Sequence, residues 1–199
     1  MSIFVDDVVS APLPAGLPAL PQVDLAHSRQ VTRLAIAIFD ASAAPLRLDR
    51  EDRTLLALAA LWHDSGQAIR EQGHHKLSYT LIMGLQLPQY TPLQQQQIAL
   101  IARYHRKALP NPKHEGFGAL PAAAQQRVRR LAALLRIADG LDYSHRGLVR
   151  AVDADVRTAV ATFIAHAGPE AEPEMHRAWE KADLFTETFG LVVEVRRAG

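Results

Sequence analysis

The segment LLALAALWHDSG, residues 55–66, decides the fold class, because an apolar run ends there in two polar residues. Leucine and alanine favour helix, so a helix is predicted from Asp49 or Glu51 to His63. The pair His63-Asp64 then follows directly. Burying a carboxylate is costly unless it is paired or bound to a cation. The pair therefore either faces water at a helix end or lies next to a positive partner.

The composition is that of an ordinary folded protein, with 48% hydrophobic and 22% charged residues in a chain of 199. That length suits one domain, or one domain with a small appendage. A formal net charge of +1 and an aromatic content of 6% give no reason to expect nucleic acid or a membrane as partner. Because there is no cysteine, disulfides, thiolate zinc sites and thiol catalysis are excluded, whereas nine histidines stand out.

The N-terminal sequence favours a cytoplasmic protein. MSIFVDDVVS, residues 1–10, has acids where a signal peptide needs basic residues. Apolar stretches all fall short of the ~20 residues of a membrane span. Residues 11–22 contain four prolines and a glycine, which predicts an extended arm over residues 1–22.

Four further helices are predicted before residue 146, which gives a helical bundle over residues 23–146. Asp24 is a predicted N-cap for a first helix to about Ala41. A third helix follows through residues 78–87. Thr91-Pro-Leu-Gln94 is typical of a capping box, so a fourth helix begins there and continues to His105. After a long loop at 108–121, the fifth helix covers about 122–142.

The pattern changes after Gly147 to that of a small appendage, residues 147–199. Residues 148–156 and 158–167 alternate in polarity and predict two strands. Residues 171–189 predict one helix, with Trp179, Phe185 and Phe189 packing in the core, and residues 190–197 predict a closing strand. The predicted fold is therefore mainly α, a helical bundle with a small C-terminal β-α-β appendage.

Polar residues from separate helices are predicted to face the interior together. His27 shares a helix face with Val31, Leu34 and Ile38, since residues four, seven and eleven apart lie on one side. The apolar faces of three other helices end in the same way, at His63, His105 and Asp139. Imidazoles with carboxylates suit Mn, Fe, Co, Ni or Zn. The periodicity alone leaves a metal site and a buried polar network equally open.

The order of these residues resembles the HD-domain superfamily of metal-dependent phosphohydrolases. The matching positions are His27, His63-Asp64 and Asp139. A narrower resemblance, to the C-terminal half of the exopolyphosphatase and guanosine pentaphosphate phosphatase (Ppx/GppA) family, extends from Asp24 to Arg197. It rests on four segments: HHKLSYTLI (74–82), IARYHRKALP (101–110), LAALLRIADGLDYSH (131–145) and KADLFTETFGLVVEV (181–195).

This chain departs from the family at two points. Leu77 stands where the family usually has a further histidine, so that position cannot serve as a ligand. Family members also carry an actin-like domain that holds their polyphosphate chemistry, and this chain has nothing similar. Exopolyphosphatase activity therefore does not carry over.

The resemblance implies one or two divalent ions, Mn, Fe, Co, Ni, Zn or Mg. The first metal would be held by His27, His63, Asp64 and Asp139. A second would be held by His75 and His105, with Asp64 bridging, and His74 competes with His75 for this role. RYHRKA and RIADGLD also look like bacterial HD-type diadenosine tetraphosphate hydrolases, which are dinuclear.

Basic residues close to these ligands predict phosphate binding. Lys76, Arg106 and Lys107 rank highest and form, with Asp64, the predicted catalytic set. Arg103 and Arg136 are further candidates, because arginine forks match phosphate oxygens. For each cation, a solvated helix-end charge is the alternative.

Asp142, one turn beyond Asp139, is expected to orient a ligand histidine or to cap the helix. His145, near the end of the fifth helix, is a candidate pocket residue, whereas His114, His166 and His176 are predicted at the surface. Gly66 and Gly140 are expected to permit a close backbone approach or to end helices.

Two functions follow. The first is a phosphohydrolase acting on a nucleotide or a polyphosphate-type phosphoester or phosphoanhydride. The second is a non-catalytic module that binds such an anion or mediates dimerisation, as a homodimer or with a separate actin-like phosphatase chain. Four inward ligands favour the first, because a scaffold has no need of them.

Overall fold

The structure, a computed structural model, describes residues 18–199. It is mostly helical with a small three-stranded sheet near the C-terminus, which confirms the predicted fold class. The helices and strands are α1 Leu25–Leu46, α2 Asp52–Trp62, α3 His74–Met83, α4 Pro92–Arg103, α5 Ala122–Gly140, β1 Ala151–Val156, β2 Val160–His166, α6 Glu172–Glu180, α7 Asp183–Phe189 and β3 Val192–Arg197. Short 3-10 helices cover Ser65–Ala68 and Pro169–Ala171.

The predicted N-terminal arm falls mostly outside the described residues. Its part from residue 18 onward has no helix or strand before α1. Gln22 joins this segment to the end of α2, because its side-chain amide donates to the carbonyl of Leu61 and to the Ser65 hydroxyl, at 3.0 Å each.

Side-chain caps begin two of the helices where the sequence predicts them. The Asp24 carboxylate accepts a hydrogen bond of 2.9 Å from the backbone N–H of His27. At α4, the Thr91 hydroxyl accepts from the N–H of Gln94 while the Gln94 side chain accepts from the N–H of Thr91. These contacts satisfy N–H groups that have no partner within the helix.

Helix α1 is longer than predicted, and α3 begins earlier. Residues after Ala41 stay helical to Leu46, and the helix ends at Arg47 in the left-handed conformation, with φ 52°. At α3, Gly73 adopts φ 79° just before the first turn, so that His74 and His75 belong to the helix rather than to the preceding loop. Glycine takes this backbone conformation without steric cost.

The three strands form a sheet in the order β1-β2-β3. β1 and β2 pair antiparallel, with Val156 opposite Ala161 next to the turn. β3 pairs parallel to β2 after the chain crosses through α6 and α7. The sheet packs on the bundle because β1 contacts α1, while α6 and α7 contact α5.

The prediction of a single helix over residues 171–189 is wrong. The chain forms two helices there, α6 and α7, which are separated at Lys181 and Ala182. Both residues have ψ close to 0°, and the Arg136 guanidinium binds the carbonyl of Lys181 at 3.1 Å. The predicted core position of Trp179 is also wrong, because its side chain is 55% exposed. Phe185 is buried as predicted.

One continuous core runs through the bundle and the C-terminal segment. At Gly140 the backbones of α5 and α6 meet so closely that a Cβ there would lie 2.5 Å from the Cα of Ala178. This is the close approach expected for Gly140. Within residues 18–199, none of the helices has the length and apolar character needed to cross a membrane.

Candidate metal centre

Six side chains from the ends of five helices converge at one point. His27 lies in the first turn of α1 and His74 in that of α3, while His63 and Asp64 follow α2, His105 follows α4 and Asp139 ends α5. The four histidines are at most 2% exposed, and both aspartate side chains are 12% exposed. The structure thus brings together the predicted set His27, His63, Asp64, His105 and Asp139.

Asp64 faces two groups of histidines with its two oxygens. Its Oδ2 lies 3.5 Å from Nε2 of His63 and 3.9 Å from Nε2 of His27. Its Oδ1 lies 2.9 Å from Nε2 of His74 and 3.3 Å from Nε2 of His105. Each group places three ligand atoms close enough to share one ion, so Asp64 is positioned to bridge two.

The second nitrogen of each histidine is already engaged, which orients the ring. Nδ1 of His63 contacts the carbonyl of Ala60 at 2.6 Å, and Nδ1 of His105 contacts that of Ala102 at 2.7 Å. Nδ1 of His74 contacts the carbonyl of Glu71 at 2.9 Å. A carbonyl can only accept a hydrogen bond, so Nδ1 carries the proton and Nε2 keeps its lone pair toward the centre. Metal-binding histidines are typically oriented by such contacts.

The donor set fits a divalent cation. Nε2 of His27 and Nε2 of His63 are buried without a hydrogen-bond partner among the described residues. Buried polar atoms are normally satisfied. Ligand atoms about 2.1 Å from a tetrahedral metal lie about 3.4 Å from one another, and the pairs around Asp64 Oδ2 are 3.5 and 3.9 Å apart.

Asp139 lies beside the first group and is also paired with a lysine. Its Oδ1 is 3.5 Å from Nε2 of His27 and 3.8 Å from Nε2 of His63. Its Oδ2 accepts a hydrogen bond from the ammonium of Lys181, which follows α6. Asp139 is therefore placed as a fourth ligand whose charge a protein cation already offsets in part.

Both carboxylates are held in the ionised form. Burial alone would raise the pKa of Asp64, but His63, His74 and His105 outweigh it and hold that pKa well below the usual range. Burial likewise opposes ionisation of Asp139, whereas the Lys181 ammonium and His27 lower its pKa strongly. Burial disfavours charge on His27, yet Asp139 and Asp142 raise its pKa to about 9. Burial depresses the pKa of His105.

His74, not His75, joins the cluster, which differs from the sequence-based choice. Adjacent residues on a helix point about 100° apart, so the two rings cannot face the same point. Nε2 of His74 lies 3.3 Å from Nε2 of His105. His75 instead lines a separate small cavity, where burial and the neighbouring cations lower its pKa to about 4.

A cavity of about 600 Å³ opens beside the cluster. Of the predicted phosphate-binding cations, Arg106 and Lys107 line it, and the guanidinium of Arg106 lies 3.3 Å from Nε2 of His74. Arg136 also lines it, but its guanidinium is paired with Asp183 at 2.7 Å. Lys76 and Arg103 do not line this cavity and lie beside His75 instead.

Asp142 takes the orienting position predicted for it. Its Oδ2 lies 2.8 Å from Nδ1 of His27, while its Oδ1 accepts from the N–H of Gly147 at 2.9 Å. His145 lines the cavity and stacks on His27, with ring centroids 3.7 Å apart.

Gly66 permits the close approach expected of it. A Cβ on this residue would lie 2.2 Å from the carbonyl oxygen of His74. The loop after Asp64 therefore packs directly against the first turn of α3.

The C-terminal segment supplies part of the cavity wall, which sequence reasoning missed. Arg177 and Lys181 line it together with Tyr143, and the Arg177 guanidinium lies 5.0 Å from the Tyr143 ring centroid. Gln67, Glu71 and Glu180 complete the lining. The four-residue spacing of Arg177 and Lys181 indicates a shared helix face, but only the break after α6 places Lys181 against Asp139.

The remaining histidines lie away from the cluster. His166 and His176 are exposed as predicted. His114 is half-buried rather than exposed, and its Nδ1 lies 3.1 Å from the Tyr104 hydroxyl.

Comparison with known proteins agrees with the family resemblance. The family model described as Ppx/GppA phosphatase, domain III, matches residues 16–162, which include all six converging side chains. No curated protein matches the chain. Because the match covers well over half of the sequence, the chain belongs to the Ppx/GppA phosphatase family, to whose domain III it corresponds.

Proposed function

We propose that this protein is a metal-dependent phosphohydrolase of the HD-domain type, acting on a nucleotide or on a polyphosphate-type phosphoester or phosphoanhydride. The observation that carries the proposal is the pair of ligand groups that share Asp64. A buried cluster of imidazole and carboxylate lone pairs needs a cation, and the family relation makes phosphate chemistry the natural use of that cation.

The chain's own residues have separate tasks in this proposal. His27, His63, Asp64 and Asp139 would hold one ion, and Asp64, His74 and His105 a second. When bound, the metal would lower the pKa of a coordinated water and polarise a phosphoryl oxygen. Asp142 keeps the His27 ring in place through its 2.8 Å contact. Lys181 binds the Asp139 carboxylate, and because it also lines the cavity its ammonium would attract an anionic substrate.

The size and charge of the cavity support the proposed substrate class. A space of about 600 Å³ is within the range of small-ligand pockets and accommodates a nucleotide. Arg106 and Lys107 line it, and neither forms an ion pair with a carboxylate among residues 18–199. Their charges are therefore available to phosphoryl oxygens.

The test is hydrolysis of a panel of nucleotides and polyphosphates of graded length, with Mn²⁺ or Co²⁺ added to protein stripped with EDTA. We expect phosphate release that requires the metal and falls at least 100-fold in Asp64→Asn. Asp155 in β1 offers a matched control, since its side chain is 46% exposed and Asp155→Asn removes a carboxylate that belongs neither to the cluster nor to the cavity lining. Activity that persists in Asp64→Asn would contradict the proposal.

A non-catalytic binding role is the second candidate. It is favoured by the family match, which is to a single domain, domain III, of a phosphatase family. Saturable nucleotide or polyphosphate binding without turnover, unchanged in Asp64→Asn, would identify this role. In that case association with a second copy or with a separate actin-like chain becomes the function to measure.

A further inference from the structure

A second cavity lies next to the first turn of α3 and the end of α4. It has a volume of about 130 Å³ and is lined by His75, Lys76, Arg103, Tyr104, Ala108 and His114. It shares no lining residue with the larger cavity. Three residues that the sequence assigned to the metal and phosphate site line this second cavity instead: His75, Lys76 and Arg103.

The charge of this lining is positive. Lys76 and Arg103 contribute two cations, and the lining contains no carboxylate within the part of the chain that the structure describes. Neither cation forms an ion pair among those residues. Burial together with the charges of Arg103 and Lys76 lowers the pKa of His114, which agrees with a local excess of positive charge.

Buried polar groups in this cavity are only partly satisfied. His75 is 8% exposed, and its Nδ1 is buried with no hydrogen-bond partner among residues 18–199. Such atoms are rare in folded proteins and call for a partner. The Tyr104 hydroxyl and Nδ1 of His114 bind each other at 3.1 Å, and Nε2 of His114 makes no hydrogen bond within residues 18–199, which leaves it available to a ligand.

Arg103 is held in position before any ligand arrives. Its guanidinium lies 5.4 Å from the Tyr79 ring centroid and 6.0 Å from that of Tyr104. One of its nitrogens donates to the carbonyl of Glu115 at 3.2 Å. These contacts restrain the side chain without neutralising it, which reduces the cost of ordering it around an anion.

We propose that this second cavity is a binding site for a single phosphoryl group, bound by Lys76 and Arg103 with His75 and His114 as further hydrogen-bond partners. The volume is that of about four waters, which suits inorganic phosphate or the terminal group of a phosphate chain and is too small for a whole nucleotide. The site does not depend on a metal or on catalysis in the larger cavity.

The test measures anion binding to the full chain after EDTA treatment, by titration of inorganic phosphate and, separately, tripolyphosphate. Amide resonances of Lys76, Tyr104 and His114 report this cavity, and those of Tyr143, His145 and Lys181 report the larger one. We expect saturable shifts at the first group, with the dissociation constant raised at least tenfold in Arg103→Gln and Lys76→Gln. Arg50→Gln, which removes an exposed arginine elsewhere, should leave it unchanged.

The two ligands distinguish the source of the phosphoryl group. Binding of both identifies the end of a phosphate chain, whereas binding of phosphate alone identifies the free ion, and either result supports the site. The proposal is overturned if neither anion shifts the first group of resonances. It is equally overturned if folded Arg103→Gln binds like the unaltered chain while Arg106→Gln does not, because the anion then occupies the larger cavity.

Discussion

Lys181 has two effects on the cluster at the scale of single residues. Its ammonium partly neutralises Asp139, and both side chains are less than a fifth exposed, at 17% and 12%. It therefore stabilises the metal-free protein, yet it repels a cation bound on the other oxygen of the same carboxylate. Removal of the lysine should therefore lower the stability of the metal-free protein but raise its affinity for a metal ion, and the two quantities can be measured separately.

We predict that Lys181→Met lowers the stability of the metal-free protein by about 2 kcal/mol, because it removes the ammonium that binds one oxygen of the buried Asp139 carboxylate. The same change should tighten Mn²⁺ binding about tenfold. Denaturant unfolding in EDTA and calorimetric metal titration measure the two quantities. Lys113→Met, which removes an exposed lysine, serves as control. Weaker metal binding in Lys181→Met would mean that the lysine assists the site rather than competing with the ion.

His27 gives the metal-free protein a defined pH dependence. Its pKa rises from 6.5 to about 9 on folding. A raised folded-state pKa contributes stability that is complete below pH 6.5 and is lost as the pH rises through 9. We therefore predict that the melting temperature in EDTA falls over this range, and that the fall is smaller in His27→Gln than in the exposed-histidine control His176→Gln.

Metal binding should show the opposite trend, because a metal must displace the proton on Nε2 of His27. Affinity is expected to increase from pH 6.5 upward. Titration calorimetry in two buffers of different ionisation enthalpy counts the protons released at pH 7.5. If no proton is released and the metal affinity does not depend on pH, His27 is excluded as a ligand.

At the scale of elements, the site depends on the contact between the loop after α2 and the start of α3. The carbonyl of His74 lies where a Cβ of residue 66 would be, and the N–H of Gly66 donates to the Ser78 hydroxyl at 2.9 Å. This contact brings Asp64 and His74 together, so its geometry determines the second ligand group.

We predict that Gly66→Ala lowers stability by about 1–3 kcal/mol through overpacking and weakens metal binding, because His74 must move away from Asp64. Gly84→Ala is the matched control: its Cβ would meet the nearest atoms at 3.5 Å and 3.6 Å, an ordinary contact. Unfolding curves and metal titrations of both variants measure the effect. Equal behaviour of the two would show that the α3 contact does not position His74.

Local sequence patterns predict helices and strands more accurately than they predict the direction of a single side chain. The Asp24 cap, the capping box at Thr91 and the alternation in β2 depend on residues close in sequence, and the structure confirms them. The choice between His74 and His75 depends on where α3 begins, which Gly73 decides. The break after α6 involves Arg136, 45 residues away from Lys181, and has no clear local signal.

At the scale of the whole molecule, the predicted boundary between a bundle at 23–146 and an appendage at 147–199 remains a prediction. The core is continuous across it, and two contacts tie α5 to the C-terminal segment, Arg136 with Asp183 and Asp139 with Lys181. We predict one cooperative thermal transition in calorimetry, with coincident loss of helix and of tertiary signals. Two separated transitions would show that the segments unfold independently.

The proposed function depends on a cation at the point where the helices converge. The most direct measurement is the metal content of the EDTA-treated chain after equilibrium dialysis against micromolar Mn²⁺, Co²⁺ or Zn²⁺. We predict at least one bound ion per chain for one of these metals and its loss in folded Asp64→Asn, but not in Asp155→Asn. A chain that retains none of these ions, or an Asp64→Asn variant that retains as many, would contradict it.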